Sequence, residues 1–270
     1  PKGVVVRHQN VVNAYYGWEN TYGLVNGVRR HLQMANVSFD VFSGDFVRAL
    51  CSGGTLVIAP REFLLDPESL FKLIVEHQID IAEFVPAVLR QLVEYLEKTD
   101  QRVDSIKLLA CGSDQWTIEE YRHFKRFLNS RGRIINSYGI TETTIDSTYF
   151  EESDKRYKTL PIGKPFDNIT TYLLDAHMRP VPTGVIGELY ISGAGVTLGY
   201  HGQPAMTAEK FLPDPFSATP GTIMYKSGDL ARYLVNGEIE LLGREDNQVK
   251  IRGFRIELGE IESRLNEHEE

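Results

Sequence analysis

Apolar positions recur along the chain with two different periods, and the change of period divides it. Over residues 66–78, "DPESLFKLIVEHQ" sets apolar residues at 70, 71, 73, 74 and 75 behind an Asp-Pro start. Asp66 as N-cap and Pro67 in the first turn predict a helix. "IDIAEFVP" follows as a short strand stopped by Pro86, and "AVLRQLVEYLEK" is helical again. "SIKLLACG" has the length and composition of a buried strand. "TIEEYRHFKRFLNSRG" opens with Thr117 and Glu120 in capping-box spacing and closes at Gly132. Residues 133–135 begin another strand. Strands alternating with helices predict parallel pairing through right-handed crossovers.

Near Pro161 the pattern changes. "TTYLLD" and "GELYISG" read as strands separated by the turn formers of "AHMRPVPTGVI". "LARYLVNGEIELLG" reads as a hairpin turning at Asn236-Gly237. "QVKIRG" is one more strand, and "LGEIESRLNEHEE" starts a helix. The expected architecture is α/β: a parallel βαβ-type sheet subdomain over 1–160, a β-rich, barrel-like subdomain over 161–245, and the start of a third unit over 246–270.

Composition narrows the class. With 42% hydrophobic and 24% charged residues, the 270-residue chain is an ordinary globular protein rather than a disordered one. A net charge of −8 gives a nucleic-acid or anionic-membrane partner no overall electrostatic help. No apolar run approaches the roughly 18 residues of a membrane span. Two cysteines, Cys51 and Cys111, are too few for a disulfide framework and fit a reducing cytoplasm, each as a small buried hydrophobe. The seven histidines have no metal-ligand spacing with cysteines or carboxylates, so no zinc site is expected. The chain begins "PKGVVV", without Met or a signal-like segment, and ends inside a helical pattern. Both ends read as cuts through something longer.

The candidate chemistry sits in "RIINSYGITETTIDST" (133–148). A short apolar run drops into a cluster of hydroxyls and carboxylates, so Glu142 lies just beyond the carboxyl end of a buried strand. In open α/β sheets that is where ligands bind. Three other stretches have plain structural explanations when taken singly. "SGAGVTLGY" lacks G-x-G-x-x-G spacing and reads as a tight turn needing positive φ. Asp229 in "YKSGDL" reads as a capping or turn residue, and "GREDNQVKIRG" as a solvated hairpin face.

In this order, however, the stretches resemble the adenylate-forming enzymes, and among them the amino-acid adenylation domains of nonribosomal peptide synthetases. "PKG" (1–3) is similar to the tail of the family's phosphate-binding loop, and "FDVFSGD" (39–45) to the segment holding its amino-acid-binding Asp. "NSYGITETT" (136–144) matches its Asn-x-Tyr-Gly-x-Thr-Glu motif, with Ile140 where Pro is usual. "GELYISGAGVTLGY" (187–200), "YKSGDL" (225–230) and "GREDNQVKIRGFRIELGEIE" (243–262) complete the set. The Gly-rich loop that should precede Pro1 and the small C-terminal lid domain with the family's catalytic Lys are missing from these 270 residues.

The resemblance implies a reaction. An amino-acid carboxylate attacks the α-phosphate of ATP, pyrophosphate leaves, and the aminoacyl group then passes to a phosphopantetheine thiol on a peptidyl carrier domain. Carrier and condensation domains of the same synthetase are the implied partners. By resemblance Glu142 holds Mg²⁺, Thr141 hydrogen-bonds the α-phosphate, Lys2 pairs with the phosphates, and Tyr138, followed by Gly139, packs on the adenine. Asp229 would accept both ribose hydroxyls, Arg244 would reinforce the ribose side, Asp246 is the hinge, and Gly253 swings toward the thioester channel.

The side-chain pocket carried over comprises Asp40, Val41, Gly44, Glu83, Leu109, Cys111, Ser137, Ile145 and Asp146, with Asp40 pairing the α-ammonium. Small Gly44 and Ser137 imply depth. Uncompensated Glu83 and Asp146 imply a cationic side chain, as in family pockets for ornithine, with lysine and arginine close behind. A tyrosine whose hydroxyl donates to Glu83 is an alternative. An acyl-CoA-type ligase, against which Asp40 and the acidic pocket argue, and a non-catalytic nucleotide-binding scaffold are the competing readings.

Overall fold

A computed structural model of the chain describes residues 2–152, 157–245, 249–251, 254–256 and 265. Its first sheet contains β1 (Arg30–Gln33), β2 (Thr55–Ile58), β3 (Ile81–Phe84), β4 (Leu108–Cys111), β5 (Arg133–Tyr138), β6 (Thr148–Phe150) and β7 (Lys164–Pro165) in the order β2-β1-β3-β4-β5-β6-β7. The first five strands are parallel, as the alternation of strand and helix predicts, while β6 and β7 add antiparallel. Parallel neighbours need crossovers. These are supplied by α3 (Asp40–Cys51), α4 (Pro67–Glu76), α5 (Pro86–Thr99) and α6 (Ile118–Lys125), which follow α1 (His8–Tyr22) and the short α2 (Leu24–Gly27).

The helix starts follow the sequence. Asp66 Oδ1 accepts the Ser69 N–H at 3.2 Å, and Thr117 and Glu120 exchange reciprocal cap bonds at 3.1 and 2.7 Å. The end of α6 does not: it stops at Lys125 rather than near Gly132. The carbonyls just beyond it are claimed from elsewhere in the fold, Phe127 O by the Val103 N–H at 3.0 Å and those of Arg126 and Leu128 by the Arg102 guanidinium. Neither α1 nor α3 is evident from the spacing of apolar residues. In α1 only Asn10, Gly17, Trp18 and Tyr22 are buried, and one of those is polar.

Alternation along the strands divides the interior into two cores. Ile81, Leu108 and Ile135 face a core shared with Trp18, Tyr22, Tyr138, Leu189, Ile191 and Tyr225. Ala82, Leu109 and Ile134 face the other, built with Leu70, Ile74, Leu89, Leu92, Tyr121 and Phe124 of α4, α5 and α6.

The second sheet holds β8 (Ile169–Leu174), β9 (Gly187–Gly193), β10 (Phe211–Pro213), β11 (Ile223–Tyr233) and β12 (Ile239–Arg244), with α7 (Pro204–Lys210) leading into β10. Long β11 pairs with β9 on one side; on the other its start meets β10 and its end meets β12. The expected hairpin forms, with Gly237 at φ 81° in its turn. The barrel-like expectation is corrected: among the described residues β8 lies at one edge, does not pair with β10 or β12, and the sheet stays open. β13 (Val249–Ile251), the strand expected at "QVKIRG", pairs with β14 (Phe254–Ile256). The expected final helix lies outside the described residues apart from Leu265.

Between β5 and β6 the chain makes a wide hairpin. Tyr138 pairs with Thr148, and a 3-10 turn, Thr141–Thr143, sits at the head. The returning strand crosses close over Gly139, where a Cβ would fall 1.7 Å from the Ile145 carbonyl oxygen. Thr144 and Ile145 lie in the left-handed region, at φ 65° and 70°, a strained conformation for a β-branched pair. Gly139→Ala is therefore expected to lose about 3 kcal/mol or more of stability, because backbone rather than a movable side chain is in the way. Gly221→Ala, with φ 79° and open space around it, is expected to cost only about 1–2 kcal/mol. Denaturant titration of the two variants checks the contrast; equal losses would show that the crossing relaxes.

Candidate active site

The hairpin head presents its polar residues to two sides. On the side of the second sheet, Glu142 is 1% exposed and its Oε1 accepts from the Tyr200 hydroxyl at 2.6 Å. Tyr200 in turn lies 3.2 Å from the Tyr225 hydroxyl. Burial and the neighbouring carboxylate raise the Tyr200 pKa, so it stays a donor. Lys2 Nζ sits over the Tyr200 ring at 5.8 Å, and residues 3–5 pair with 198–201, through bonds such as Val5 N–H to Gly199 O at 2.9 Å. Lys2 and Glu142, far apart in sequence, thus meet at one tyrosine.

The Gly-rich stretch explains itself by contact. Gly193 and Gly199 have φ 103° and 115°, matching the expected turn. Gly195 has a second reason: a Cβ there would come within 2.8 Å of the Thr143 carbonyl. The Thr197 N–H donates to Glu142 O at 3.0 Å and Thr144 Oγ1 to Gly195 O at 2.7 Å, locking this turn onto the hairpin head.

Asp229 is neither a cap nor a turn residue. It lies within β11 opposite Arg244 of β12, whose Nη1 donates to Oδ1 at 2.7 Å. The Tyr138 hydroxyl donates to Oδ2 at 2.5 Å. Both oxygens are engaged, yet an ionised carboxylate has about four acceptor positions, so each keeps one. Arg244, expected on a solvated face, is mostly buried in this pair.

On the other side of the hairpin head, Asp40 opens α3. Burial raises its pKa, partly offset by hydrogen bonds from the Thr141 hydroxyl and the Val41 N–H. Val41 is partly buried in the same turn. A cavity of about 210 Å³ lies here, between the start of α1, Asp40, Ser43, Thr141, Thr144 and Ile145. A wider cavity, about 500 Å³, lies at the amino ends of the parallel strands, beside Arg30, Asp80 and Lys107. Ligands in such sheets bind at the carboxyl ends, so the smaller one is the candidate.

Below Asp40 the structure supplies a residue absent from the sequence expectation. Arg48, 2% exposed, pairs through Nη2 with Asp45 Oδ1 at 2.9 Å and with Glu83, and its Nη1 lies 3.6 Å from Asp146 Oδ2. The guanidinium stacks 4.5 Å from the Trp18 ring, whose Nε1 donates to Asp146 at 2.9 Å. Glu83 and Asp146 are therefore not uncompensated. Nor is the space beside Gly44 open: a Cβ there would meet Trp18, Ile145 and Arg48 Nη2 within 3.4–3.5 Å. The helical spacing 40, 44, 48 would have revealed Arg48 had residues 40–51 been read as a helix.

Ser137 is buried next to Gly112, where its backbone and hydroxyl leave no room for a Cβ. Leu109 and Cys111 are not brought to the Arg48 cluster. Strand alternation turns both into the α4–α6 core, and Ala110 lies on the cluster's side instead. Cys111 is buried as expected, whereas Cys51 is exposed. Asp246 and Gly253 lie outside the described residues.

A family model, AMP-binding enzyme, matches residues 1–201. The chain belongs to the AMP-binding enzyme family. It is 47% identical over 268 residues to tyrocidine synthase 3 of Brevibacillus parabrevis, covering 98% of this chain and 4% of that protein. To gramicidin S synthase 2 of Brevibacillus brevis it is 45% identical over 272 residues, covering 100% of this chain and 6% of that protein. An artificially fused adenylation–PCP di-domain, NpsA-ThdA from Klebsiella oxytoca, superposes with a TM-score of 0.80 at 26% identity, over 98% of this chain and 52% of the other. The chain thus spans a small part of the curated relatives it matches. No helix among the described residues is long and apolar enough to cross a membrane.

The electrostatics of the Arg48 cluster have a measurable consequence. Burial holds Asp45 and Asp146 up at about 7, with Arg48 pulling the other way and Glu83 adding to the rise. Their folded pKa values exceed the unfolded ones, so the native state binds more protons between about pH 4 and pH 7. The stability they contribute is complete below that window and lost as pH rises through 7. Asp45→Asn removes one such group, so its stability relative to the unaltered protein should rise from about pH 5 to pH 8. Denaturant midpoints at both pH values check this; a constant difference would mean Asp45 is ionised throughout.

Proposed function

We propose that this member of the AMP-binding family activates a basic amino acid (ornithine, arginine or lysine) as its adenylate and passes it to a carrier-domain thiol. Family membership and the hairpin geometry support the reaction. The substrate class rests on one observation: Asp45, Glu83 and Asp146 are buried around the single guanidinium of Arg48, with Asp40 separate at the mouth. Arg48 reduces the surplus of negative charge without removing it, and a substrate cation would complete the balance.

In the first step an oxygen of the amino-acid carboxylate bonds to the α-phosphorus, and the bond from that phosphorus to the bridging oxygen of pyrophosphate breaks. The two anions must be held in line, which is a matter of positioning and charge. Asp40 receives the α-ammonium. The Thr141 hydroxyl, which lines the same cavity as Asp40, would donate a hydrogen bond to an α-phosphate oxygen.

Tyr138 and the Asp229–Arg244 pair fit the adenosine end, the two free acceptor positions of Asp229 meeting the ribose hydroxyls. Lys2 pairs with the phosphates. Among the described residues no three His, Cys, Asp or Glu side chains gather as a metal cage. The buried Glu142 carboxylate nevertheless suits Mg²⁺, which is commonly held by one or two carboxylates together with substrate phosphates. Bound there, the ion would supply charge neutralisation at the phosphates. In the second step a phosphopantetheine thiol displaces AMP from the acyl carbon. The likeness to an adenylation–PCP di-domain supports a carrier domain as partner, with a condensation domain of the same synthetase beyond it.

Tyrosine is the second reading. Arg48 Nη1 is buried without a hydrogen-bond partner, and a phenol oxygen could accept from it while donating to Glu83. Amino-acid-dependent ATP–pyrophosphate exchange by the full-length protein decides between them. Exchange with ornithine, arginine or lysine, lost on Glu83→Gly, is the expected result. Exchange confined to neutral side chains would retain the reaction and reject the basic substrate, and none with any amino acid would reject both. Glu142→Gln should lower exchange about 100-fold or more, as removing one charge-stabilising group does elsewhere.

A further inference from the structure

The 40–44–48 face of α3 descends from the site mouth into the interior, each residue one helical turn below the last. Asp40 is at the top, Gly44 leaves a gap, and the Arg48 guanidinium fills it, 3.5 Å from where a Gly44 Cβ would stand. Resting on the basic-substrate reading of this pocket, we propose that Arg48 is a specificity-determining residue: an internal cation that competes with a substrate's side-chain cation for Glu83 and Asp146.

Three observations carry this. The guanidinium is held by Glu83 and lies against Asp146, both expected to face the substrate side chain, so the two cations would seek the same acceptors. Arg48 also has an alternative partner: Asp45, three residues back on its own helix, bonds Nη2 at 2.9 Å and would keep it paired after Glu83 is taken. Its hold on the pocket is incomplete, because buried Nη1 has no hydrogen-bond partner and stands 3.6 Å from Asp146. A guanidinium placed only to lock α3 onto the sheet would be expected to use both ends of its fork. With Arg48 in place, a long cationic side chain must displace it along α3. A shorter or neutral one leaves it where it is.

The test compares kcat/KM in pyrophosphate exchange for ornithine and leucine in the full-length protein, unaltered and as Arg48→Met, Arg48→Lys and Asp45→Asn/Arg48→Met. The double variant removes an acid together with the cation, so it keeps the experiment decisive should Arg48→Met fail to fold. Both Met variants should raise the ornithine-to-leucine ratio about tenfold or more, while Arg48→Lys, which retains a cation, stays within about threefold of the unaltered protein. A ratio that is unchanged or lower in the Met variants would overturn the proposal, since a purely structural arginine alters both substrates alike. The unaltered protein's own preference tests the basic-substrate reading separately. If it prefers leucine, that reading fails, while a rise in the ratio on removing Arg48 still supports the internal cation.

Discussion

The site depends on a backbone crossing. The chain returning from the hairpin head passes so close over residue 139 that only glycine fits, the Ile145 carbonyl occupying the position of a Cβ. That crossing forces Thr144 and Ile145 into the left-handed region and shortens the loop to one 3-10 turn. As a result, carboxylates four residues apart point to opposite sides. Glu142 meets Tyr200 of the second sheet, and Asp146 meets Trp18 of α1. A looser loop would let both reach solvent and separate neither.

The two sides differ in how their charges balance. Asp229 faces one guanidinium and a phenol, a one-to-one pair that is neutral as it stands. Arg48 faces three acidic side chains, two of which are pushed up to about 7. Buried carboxylates that a single cation cannot keep ionised have two remedies: they take up protons, or another cation arrives. His31 gives no help, since burial and Arg48 lower it to about 4, and its imidazole is neutral. On the α3 side the acids around Arg48 therefore keep a charge that this one cation does not balance.

How much of this could be read in advance followed the physics of each element. The helices at 67 and 118 begin with side-chain caps, and the β11–β12 hairpin with Asn-Gly, signals that act locally and survive in any context. Helix α3 carries no such start. Its N-cap is Phe39 and its buried face includes Asp45 and Arg48, so a search for apolar periodicity passes over it. Leu109 and Cys111 show a different limit. Alternation says that they share a face, but not which face, and only the pairing of β4 between β3 and β5 settles that they turn toward α4–α6. The acids of the pocket were legible as charges. Their partner was not, because Arg48 lies outside every motif that carries the family likeness.

That last point separates reaction from substrate in physical terms. Tyr138, Glu142, Tyr200, Asp229 and Arg244 all lie within the motif stretches, and they hydrogen-bond one another across the two sheets. On the proposed reading such a half-site would serve any acid to be adenylated, and its motifs identify the family. Specificity has to come from groups whose balance is left open. On the α3 side Trp18 and Arg48, neither in a motif, decide how much of the charge on Glu83 and Asp146 is still available. Two chains with the same pocket acids but a neutral side chain at position 48 would therefore present different fields to the same amino acid. On the proposed reading, the acids would set the sign of the substrate's charge, and the internal cation how strongly it is demanded.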